Sequence, residues 1–458
     1  MRRLAWTVAA VATLFVSLAG AQVQQPVVDT PLVPDEAMRI AVENHPVLQA
    51  AEFEVQAAEA DRRLARTGYL PRLDLGENVV RSDNPVFVFG STLLQGRFGM
   101  EDFALDALNR PDPFTNFATQ LTLQQSVWDA GRTRLRSRIA VSGIDAAKAS
   151  ERRTANEIAF GALQAFWGQV IVEELLEVVR DSEKAAQAHL ELATELVDAG
   201  VAVPSDRLSA QVRRAEVEAM RIRVEQDVAV ARAALLRALG VEDDRAIEVA
   251  APLGAAEAGE GLSGRLEKAM AARPDLRSLE HRIEQAEVGV KLAASHRLPD
   301  IGVKGSYEWN GDSLFSADGE NWAAGVGLRL SLFDGRETAA RVARGRADIS
   351  RLHALRDALR QGIRLEVRTG WAEFESARGR LDDASTALES SREALRIGRD
   401  RYEEGMALIV ELLSAEAAYT RARAEVVVVR GGLWLARAGL DLASGKTLWV
   451  QASAPCDE

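Results

Sequence analysis

The chain has 458 residues, of which 47% are hydrophobic and 27% charged, and its formal net charge is −12. This acidic balance argues against nucleic acid and against an anionic membrane surface as partners. A single cysteine, Cys456, excludes a disulfide within one chain and a metal site built from a cysteine cluster. The five histidines show no metal-binding spacing, and the sequence has no glycine-rich phosphate loop or nucleophile motif. We therefore expect no enzyme activity, no cofactor and no metal ion.

The first 21 residues combine a basic head, an apolar stretch and a small-residue cleavage site at Ala19-Gly20-Ala21. This pattern predicts a secretory signal peptide over residues 1–21, because the apolar run is too short for a membrane anchor and no stop-transfer pattern follows it. No cysteine follows the cleavage site, so we expect no lipid attachment there. Residues 22–34 form an extended leader marked by prolines.

Two short helices are expected after the leader. Asp35 is predicted to cap the first, which ends near His45. Pro46 suits the first turn of the second, which runs to about Gly68. A related helix is expected much later in the chain, from about Pro274 to His296.

Four segments of about ten residues alternate apolar side chains with small or polar ones. They lie at residues 73–81, 116–128, 301–310 and 322–333. This length and alternation are typical of transmembrane barrel strands. The aromatic residues in the segments could then form interfacial girdles: Phe117, Tyr307, Trp309 and Trp322.

Residues 132–198 contain no proline, and their small and apolar residues recur at alternating steps of three and four. Such spacing predicts one long helix with coiled-coil packing. At about 1.5 Å per residue, the helix would be a rod of roughly 100 Å. The run ends at Ala199-Gly200-Val201, and a second proline-free run returns from residue 205 to 239. A soluble sheet packed on a helix is the alternative interpretation of the strands, but it does not explain such long rods.

The same landmarks occur twice, in the same order. Trp128-Asp129 corresponds to Phe333-Asp334, Gly200 to Gly405, and Leu70-Pro71 to Leu298-Pro299. This predicts an internal duplication, with repeat 1 at residues 35–240 and repeat 2 at 263–445. Each repeat would hold a helix, two strands and a long helical hairpin. Repeat 1 carries a longer loop around residues 82–115.

Four strands cannot close a barrel, and an open sheet edge cannot face lipid. We therefore expect an α+β membrane protein that pools its strands with two further copies of itself. Three chains would form a trimeric 12-stranded β-barrel, four strands per chain, continuous with a long α-helical coiled-coil barrel. In that cylinder, a return helix stacked end to end on a proline helix would match one long rod.

Together, the signal peptide, the two repeats, the Leu-Pro strand openings and Phe333-Asp334-Gly335 resemble the TolC-like outer-membrane efflux proteins. The resemblance implies a homotrimeric channel-tunnel that contacts outer-membrane lipid of a Gram-negative cell and extends into the periplasm. It implies two partners: a periplasmic adaptor (membrane fusion) protein, and an inner-membrane pump or ABC exporter of a tripartite efflux or type I secretion system. Residues 241–262 become an equatorial linker and residues 446–458 an equatorial tail. The alternative class is a non-conducting periplasmic coiled-coil spacer or adaptor, which would normally lack the paired strands.

The resemblance also implies a gate and a docking site at the hairpin tips. The docking tips would be Gly200, Val201, Gly405 and Met406, and the periplasmic gate would hold Ser205, Asp206, Tyr402 and Glu411. Ala407 and Ser414 depart from the family's arginine and aspartate, so fewer polar contacts should hold this gate. For Asp206, the alternative is a charge at a helix N-terminus, favoured by the helix dipole. His189 falls on the small-residue stripe of the long rod, so we expect it to be packed rather than to bind a ligand.

Overall fold

The computed structural model describes residues 31–241, 247–250 and 259–449. The expected signal peptide, most of the leader, parts of the equatorial linker and tail, and Cys456 lie outside these residues. Within the described ranges, none of the helices combines the length and the apolar character that a membrane crossing requires.

Both halves of the chain pass through short helices, then strands, then two long helices. The first half consists of α1 (Pro34–Asn44), α2 (Pro46–Arg66), β1 (Arg72–Ser82), α3 (Pro85–Leu94), α4 (Leu105–Asn109), β2 (Phe114–Trp128), α5 (Arg132–Asp198) and α6 (Pro204–Leu239). The second half consists of α7 (Leu262–Ala272), α8 (Pro274–Ser295), β3 (Asp300–Gly311), β4 (Gly319–Arg329), α9 (Glu337–Glu403) and α10 (Ile409–Ala443). The long helix predicted over residues 132–198 is confirmed, and α9 has the same length of 67 residues.

Two predicted boundaries are wrong. Asp35 does not cap α1: the helix begins at Pro34, its N-cap position is Val33, and Asp35 lies in the first turn. Proline suits that position because its φ is already helical and it has no N–H to leave unpaired. The last strand ends at Arg329 rather than at Phe333, because Arg329 pairs with Asp300, the first residue of β3. Beyond it, the neighbouring strand offers no partner.

The connection from β1 to β2 is folded rather than an open loop. It holds α3, a 3₁₀ turn at Met100–Phe103, and α4. Asn84 caps α3, since its Oδ1 accepts hydrogen bonds from the backbone N–H groups of Val86 and Phe87. Pro85 follows directly in the first turn. Asparagine followed by proline is a helix-start signal that the sequence analysis did not use.

The strands form one antiparallel sheet in the order β1-β2-β3-β4. Its register gathers apolar side chains on one face, here called the apolar face: Leu73, Leu75, Val79, Phe117, Leu121, Leu123, Ile301, Val303, Tyr307, Trp309, Trp322, Val326 and Leu328. The opposite, polar face carries Asp74, Asn78, Asn116, Gln120, Thr122, Gln124, Lys304, Ser306, Glu308, Asn310, Asn321 and Arg329. The predicted alternation is thus confirmed. The apolar face is uncovered at β4, where Trp322 is 74% and Val326 77% exposed.

The helices pack along α5, which contacts α1, α2, α6, α8 and α10, while α9 packs against α7, α8 and α10. The hydrophobic core lies where the short helices meet the long ones, with Ile40 of α1, Phe166 of α5 and Leu239 of α6 fully buried. Trp167 of α5 and Trp434 of α10 stack with ring centroids 5.6 Å apart, which joins the two hairpins.

The short helices α2 and α8 begin where the return helices α6 and α10 end. Helix α6 ends against the start of α2, where a Cβ on Gly240 would lie 2.9 Å from the carbonyl oxygen of Asn44. Helix α10 ends against the start of α8, where Arg273 Nη1 donates to the carbonyl oxygen of Ala443 at 3.3 Å. Two composite rods, α6 with α2 and α10 with α8, therefore accompany the continuous rods α5 and α9.

An ion cluster centred on the buried Arg273 holds the second of these junctions. Arg273 is 2% exposed, and its guanidinium pairs with Glu366 of α9 and, at 2.6 Å, with Asp275 of α8. Asp275 also pairs with Arg153 of α5 at 3.2 Å. Burial acts to raise the pKa of Asp275, but the hydrogen bonds and charge of Arg273, followed by the charge of Arg153, hold it below its ordinary value. The cluster thus ties three helices together, although the sequence analysis used Arg273 only as a landmark.

An aspartate after the strand supports the start of each continuous rod. Asp129 Oδ2 accepts a hydrogen bond from the backbone N–H of Thr133 at 2.6 Å, and Asp334 Oδ2 accepts one from Thr338 at 3.0 Å. Partial burial acts to raise the pKa of Asp129, but its hydrogen bonds to Thr133 hold that pKa below the ordinary value. The matched Trp128-Asp129 and Phe333-Asp334 dipeptides therefore mark two helix starts with the same hydrogen bond.

Asp129→Ala should lower the free energy of unfolding by about 1 kcal/mol, as loss of a capping side chain does. Because the folded-state pKa of Asp129 is lowered, its stabilisation is present at neutral pH and is lost as the pH falls through that pKa. Melting of helical circular dichroism at neutral pH and near pH 3 would measure both effects. Asp145→Ala, at an exposed position on α5, is the control. Equal melting of Asp129→Ala and the control at neutral pH would contradict the capping role.

Candidate functional site

The two helical hairpins end together at the end of the molecule away from the sheet, here called the tip end. The first tip, residues 199–203, joins α5 to α6, and the second, residues 404–408, joins α9 to α10. A small cluster of buried residues packs the hairpins against each other beside the tips: Ala193, Ala210, Tyr402, Ile409 and Leu412. All residues predicted for docking and gating lie at this end.

Both tips turn by the same hydrogen-bonded motif. Gly200 has φ +74° and Gly405 has φ +69°, a left-handed conformation that glycine adopts without steric cost. The N–H of Gly200 donates to Val197 at 3.0 Å and that of Val201 to Leu196 at 2.9 Å. These two bonds form the Schellman motif that ends many helices. The second tip has the same pair, Gly405 to Tyr402 at 3.0 Å and Met406 to Arg401 at 2.8 Å.

The tips expose large apolar side chains. Val201 is 64% exposed and Met406 61%, and Val203 and Leu408 are exposed to a similar extent. Clustered apolar groups on a folded surface typically mark a site of protein interaction. The sequence analysis named Val201 and Met406 but missed Val203 and Leu408. Both residues are apolar and directly precede a helix start, and this position could have identified them.

The structure brings two of the predicted gate residues together. Tyr402 is 3% exposed and packs into the cluster between the hairpins, where its hydroxyl has no hydrogen-bond partner among the described residues. Burial raises the pKa of the Tyr402 phenol, and the charge of Asp206 raises it further. Tyr402 on α9 and Asp206 on α6 are therefore close enough for the Asp206 charge to act on the phenol, although no hydrogen bond joins them. Asp206 also lies in the first turn of α6, so its predicted gate position and its place at the helix start coincide.

The other two predicted gate residues lie at the surface. Ser205 is exposed. Glu411 is also exposed, and its Oε2 lies 3.8 Å from Arg401 Nη1. Because both side chains are more than half exposed, solvent screens this ion pair and it adds little stability. The sequence analysis did not identify Arg401, which places a positive charge beside the predicted acidic position.

His189 is buried, as predicted, but it has a charged neighbour. Its Nε2 lies 3.7 Å from Glu416 Oε2, and both side chains are nearly inaccessible. The contact joins α5 to α10 and so links the two hairpins. Throughout the described part of the chain, no group of three or more histidine, cysteine, aspartate or glutamate side chains could hold a metal ion.

Comparison with known proteins relates this architecture to a family. The family model described as outer membrane efflux protein matches residues 37–241 and 266–446. The alkaline protease secretion protein AprF of Pseudomonas aeruginosa is 25% identical, over 85% of this chain and 80% of its own. Protein CyaE of Bordetella pertussis is 23% identical, over 90% and 83%. The solved structure of the outer membrane protein VceC of Vibrio cholerae superposes with a TM-score of 0.73 at 18% identity, covering 90% of this chain and 96% of VceC.

Proposed function

Because the chain belongs to the outer membrane efflux protein family, we propose that it is the outer-membrane channel-tunnel of a tripartite efflux or type I secretion system. It would conduct substrates from a periplasmic adaptor and an inner-membrane pump or ABC exporter to the outside. One observation carries the proposal: the chain joins a sheet with an uncovered apolar face to long hairpins with exposed apolar tips. The sheet suits lipid, and the tips suit a protein partner.

The sheet supports assembly into a trimeric barrel. Within the described chain, β1 and β4 each have only one neighbouring strand, so each leaves one edge unpaired. Unpaired backbone groups cannot face lipid, whereas a closed ring of strands has no edges. Three copies would supply 12 strands, with the apolar face toward lipid and the polar face toward the lumen. The continuous and composite rods would extend this ring into a helical barrel.

Detergent-extracted protein should therefore have a mass near three times that of the mature chain. The edges of β1 and β4 are satisfied only by neighbouring copies, so the trimer should persist upon dilution. Light scattering that accounts for bound detergent would measure the mass. A stable monomer that keeps a folded sheet in lipid would contradict the assembly.

The two halves of the chain support the internal duplication. Their helices and strands follow the same order, apart from α3 and α4 in the first half, and α5 and α9 are equally long. The duplication would place the two hairpin tips at the same height in the trimer. Both tips would then contribute to one ring that docks the adaptor.

The relatives favour a polypeptide substrate. AprF is named for the secretion of an alkaline protease. By this likeness, the inner-membrane partner would be the ABC exporter of a type I secretion system rather than a drug pump. The proteins secreted into the medium would be compared between a strain that produces the channel and one from which its gene is deleted. This comparison would test whether the substrate is a polypeptide.

Reconstitution into a planar lipid bilayer tests the proposed function itself. The purified full chain should give discrete single-channel currents, and protein-free detergent should give none. A periplasmic spacer or adaptor would not insert and would conduct nothing. Absence of channels from protein shown to be trimeric would overturn the proposal.

The tip end should select cations. Asp206 and Glu411 lie equally far along the chain from Gly200 and Gly405, so in the trimer they would form one ring of carboxylates. Such rings attract cations and make a constriction cation-selective. Asp206→Asn with Glu411→Gln should lower the cation preference and relieve block by divalent or trivalent cations, with little loss of stability. Arg401→Gln, which removes the positive charge beside Glu411, should strengthen the cation preference.

Reversal potentials across a salt gradient would measure these changes. The three proteins should rank in cation preference as Arg401→Gln first, wild type second and the double variant last. Equal preference in all three would place the filter elsewhere. Asp206 would then act only as a charge at the start of α6.

A further inference from the structure

The connection from β1 to β2, residues 83–113, is a folded unit; that from β3 to β4 covers only residues 312–318. Besides α3 and α4, the connection from β1 to β2 contains three aromatic rings packed in a row. Phe98 lies edge-on to both Phe89 and Phe103, with centroids 5.0 Å apart in each pair. Edge-to-face packing of this kind stabilises a defined conformation. We call residues 83–113 the collar.

A buried amide anchors the collar to the sheet. Gln95, at the end of α3, is 1% exposed, and its Nε2 lies 2.8 Å from Asn116 Oδ1 and 2.8 Å from the carbonyl oxygen of Gly311. Asn116 in turn donates to Asn310 Oδ1 at 2.7 Å. Both asparagines belong to the polar face, so Gln95 bridges β2 and β3 from that side. Gln95 Oε1 has no partner among the described residues, so the hydrogen bonds donated by Nε2 hold the collar on the sheet.

The collar backbone also lies directly on β4. Gly319 pairs with Asn310, so it shares the polar face. A Cβ at Gly319 would lie 1.9 Å from the carbonyl oxygen of Leu94, closer than any side chain can approach a backbone atom. Only glycine permits this contact. Farther along the same face of β4, a Cβ at Gly325 would meet nothing within 4 Å.

A third contact reaches the turn between β3 and β4. Arg97 Nη1 lies 3.6 Å from Asp312 Oδ2, and its guanidinium stands 6.0 Å above the Phe114 ring. Because Arg97 and Asp312 are more than half exposed, this ion pair adds little stability. The position of the Arg97–Asp312 pair nevertheless agrees with the contacts made by Gln95 and at Gly319. All three contacts place the collar over the polar face at the end of the sheet away from the helices.

We propose that the collar narrows the outer mouth of the channel by folding inward over the lumen wall. This inference rests on the proposed function, because that function turns the polar face toward the lumen. Three collars, one from each chain, would stand around the opening and limit the size of solutes that pass. The contacts at Gln95 and Gly319 hold each collar in this position.

A cysteine beneath the collar can report on access from outside. Gln124→Cys, on the exposed polar face nearer the helices, is placed in a Cys456→Ser background. Intact cells producing the full chain are treated externally with a small membrane-impermeant thiol reagent or with a bulky polyethylene-glycol maleimide. Gly319→Ala should push the collar off β4, and Gln95→Ala should remove its anchor. Gly325→Ala is the matched control on the same face of the same strand.

The small reagent should label all forms at the same rate. The bulky reagent should label Gly319→Ala and Gln95→Ala several-fold faster than the parent and Gly325→Ala. The amount of trimer formed by each variant is measured first. Because Gly319→Ala and Gln95→Ala disturb the collar independently, one variant that still forms trimers is enough for the test. If the bulky reagent labels the parent as fast as both collar variants, the collar does not narrow the mouth, although the channel stands. If the small reagent does not reach Gln124→Cys, the channel assignment fails and the collar inference fails with it.

Discussion

A chain carrying both Gly200→Trp and Gly405→Trp should reach the outer membrane as a trimer but export nothing. Both glycines have positive φ, so any other residue strains the turn, at a cost of about 1 kcal/mol each. Apart from the adjoining residues, no atom of the described chain lies within 4 Å of a Cβ at either position, so the hairpins should still form. Two indole rings at each chain's tips would cover the apolar groups offered to a partner, such as Val201 and Met406.

The control for this prediction is a tryptophan away from the tips. Val230 is exposed on α6, and Val230→Trp adds the same bulk without touching a tip. Proteins in the medium and resistance to toxic compounds would be compared with those of a deletion strain. Export at the wild-type level by the double tip variant would exclude docking through the tips. A loss of trimers would instead show that the glycines serve folding.

Arg273→Ala should produce the largest loss of stability of any single substitution considered. Removing one partner of a buried ion pair leaves the other charge without compensation, at a cost of about 3 kcal/mol or more. Here the substitution would leave the partly buried Asp275 with Arg153 as its one remaining ion-pair partner among the described residues, and would release Glu366 of α9. Arg273→Lys should lie between wild type and Arg273→Ala, because an ammonium group cannot bind two carboxylates with a planar fork.

Lowering the pH should abolish the difference in stability between wild type and Arg273→Ala. The lowered pKa of Asp275 means that its contribution is present at neutral pH and is lost as the pH falls through that pKa. The melting temperatures of wild type and Arg273→Ala should therefore converge in acid. Arg282→Ala, at an exposed position on α8, should melt like wild type at every pH. A constant difference between Arg273→Ala and wild type throughout the acid range in which wild type stays folded would contradict the role assigned to Asp275.

The sequence predicts the long helices and the two-faced sheet well, because both depend on local periodicity. The spacing of apolar residues over 132–198 fits a helix and no other regular structure. Alternation over ten residues likewise fixes the two faces of a strand. The end of β4 could not be predicted, because it depends on where β3 begins. Helices α3 and α4 of the collar were not predicted, because both are too short for a clear periodicity.

At the tip end, the sequence located the turns but not the pairing of charges. Gly200 and Gly405 follow from the need for a left-handed turn at a helix reversal. The burial of Tyr402 and the approach of Arg401 to Glu411 arise from packing between helices, which a single helical pattern does not encode. Arg273 and Glu416 look like members of a solvated charged face, yet packing between helices buries both.

The composite rods would give the proposed helical barrel an uneven stiffness. A continuous helix such as α5 resists bending along its whole length, since its ladder of backbone hydrogen bonds is unbroken. A composite rod is interrupted where α6 meets α2 and where α10 meets α8, and a bend there breaks no helical hydrogen bond. Continuous helices that resist bending thus lie beside composite rods that can bend at their junctions. If the proposed partner pulls on the tips, the strain should concentrate at the two junctions, and the Arg273 cluster stiffens one of them.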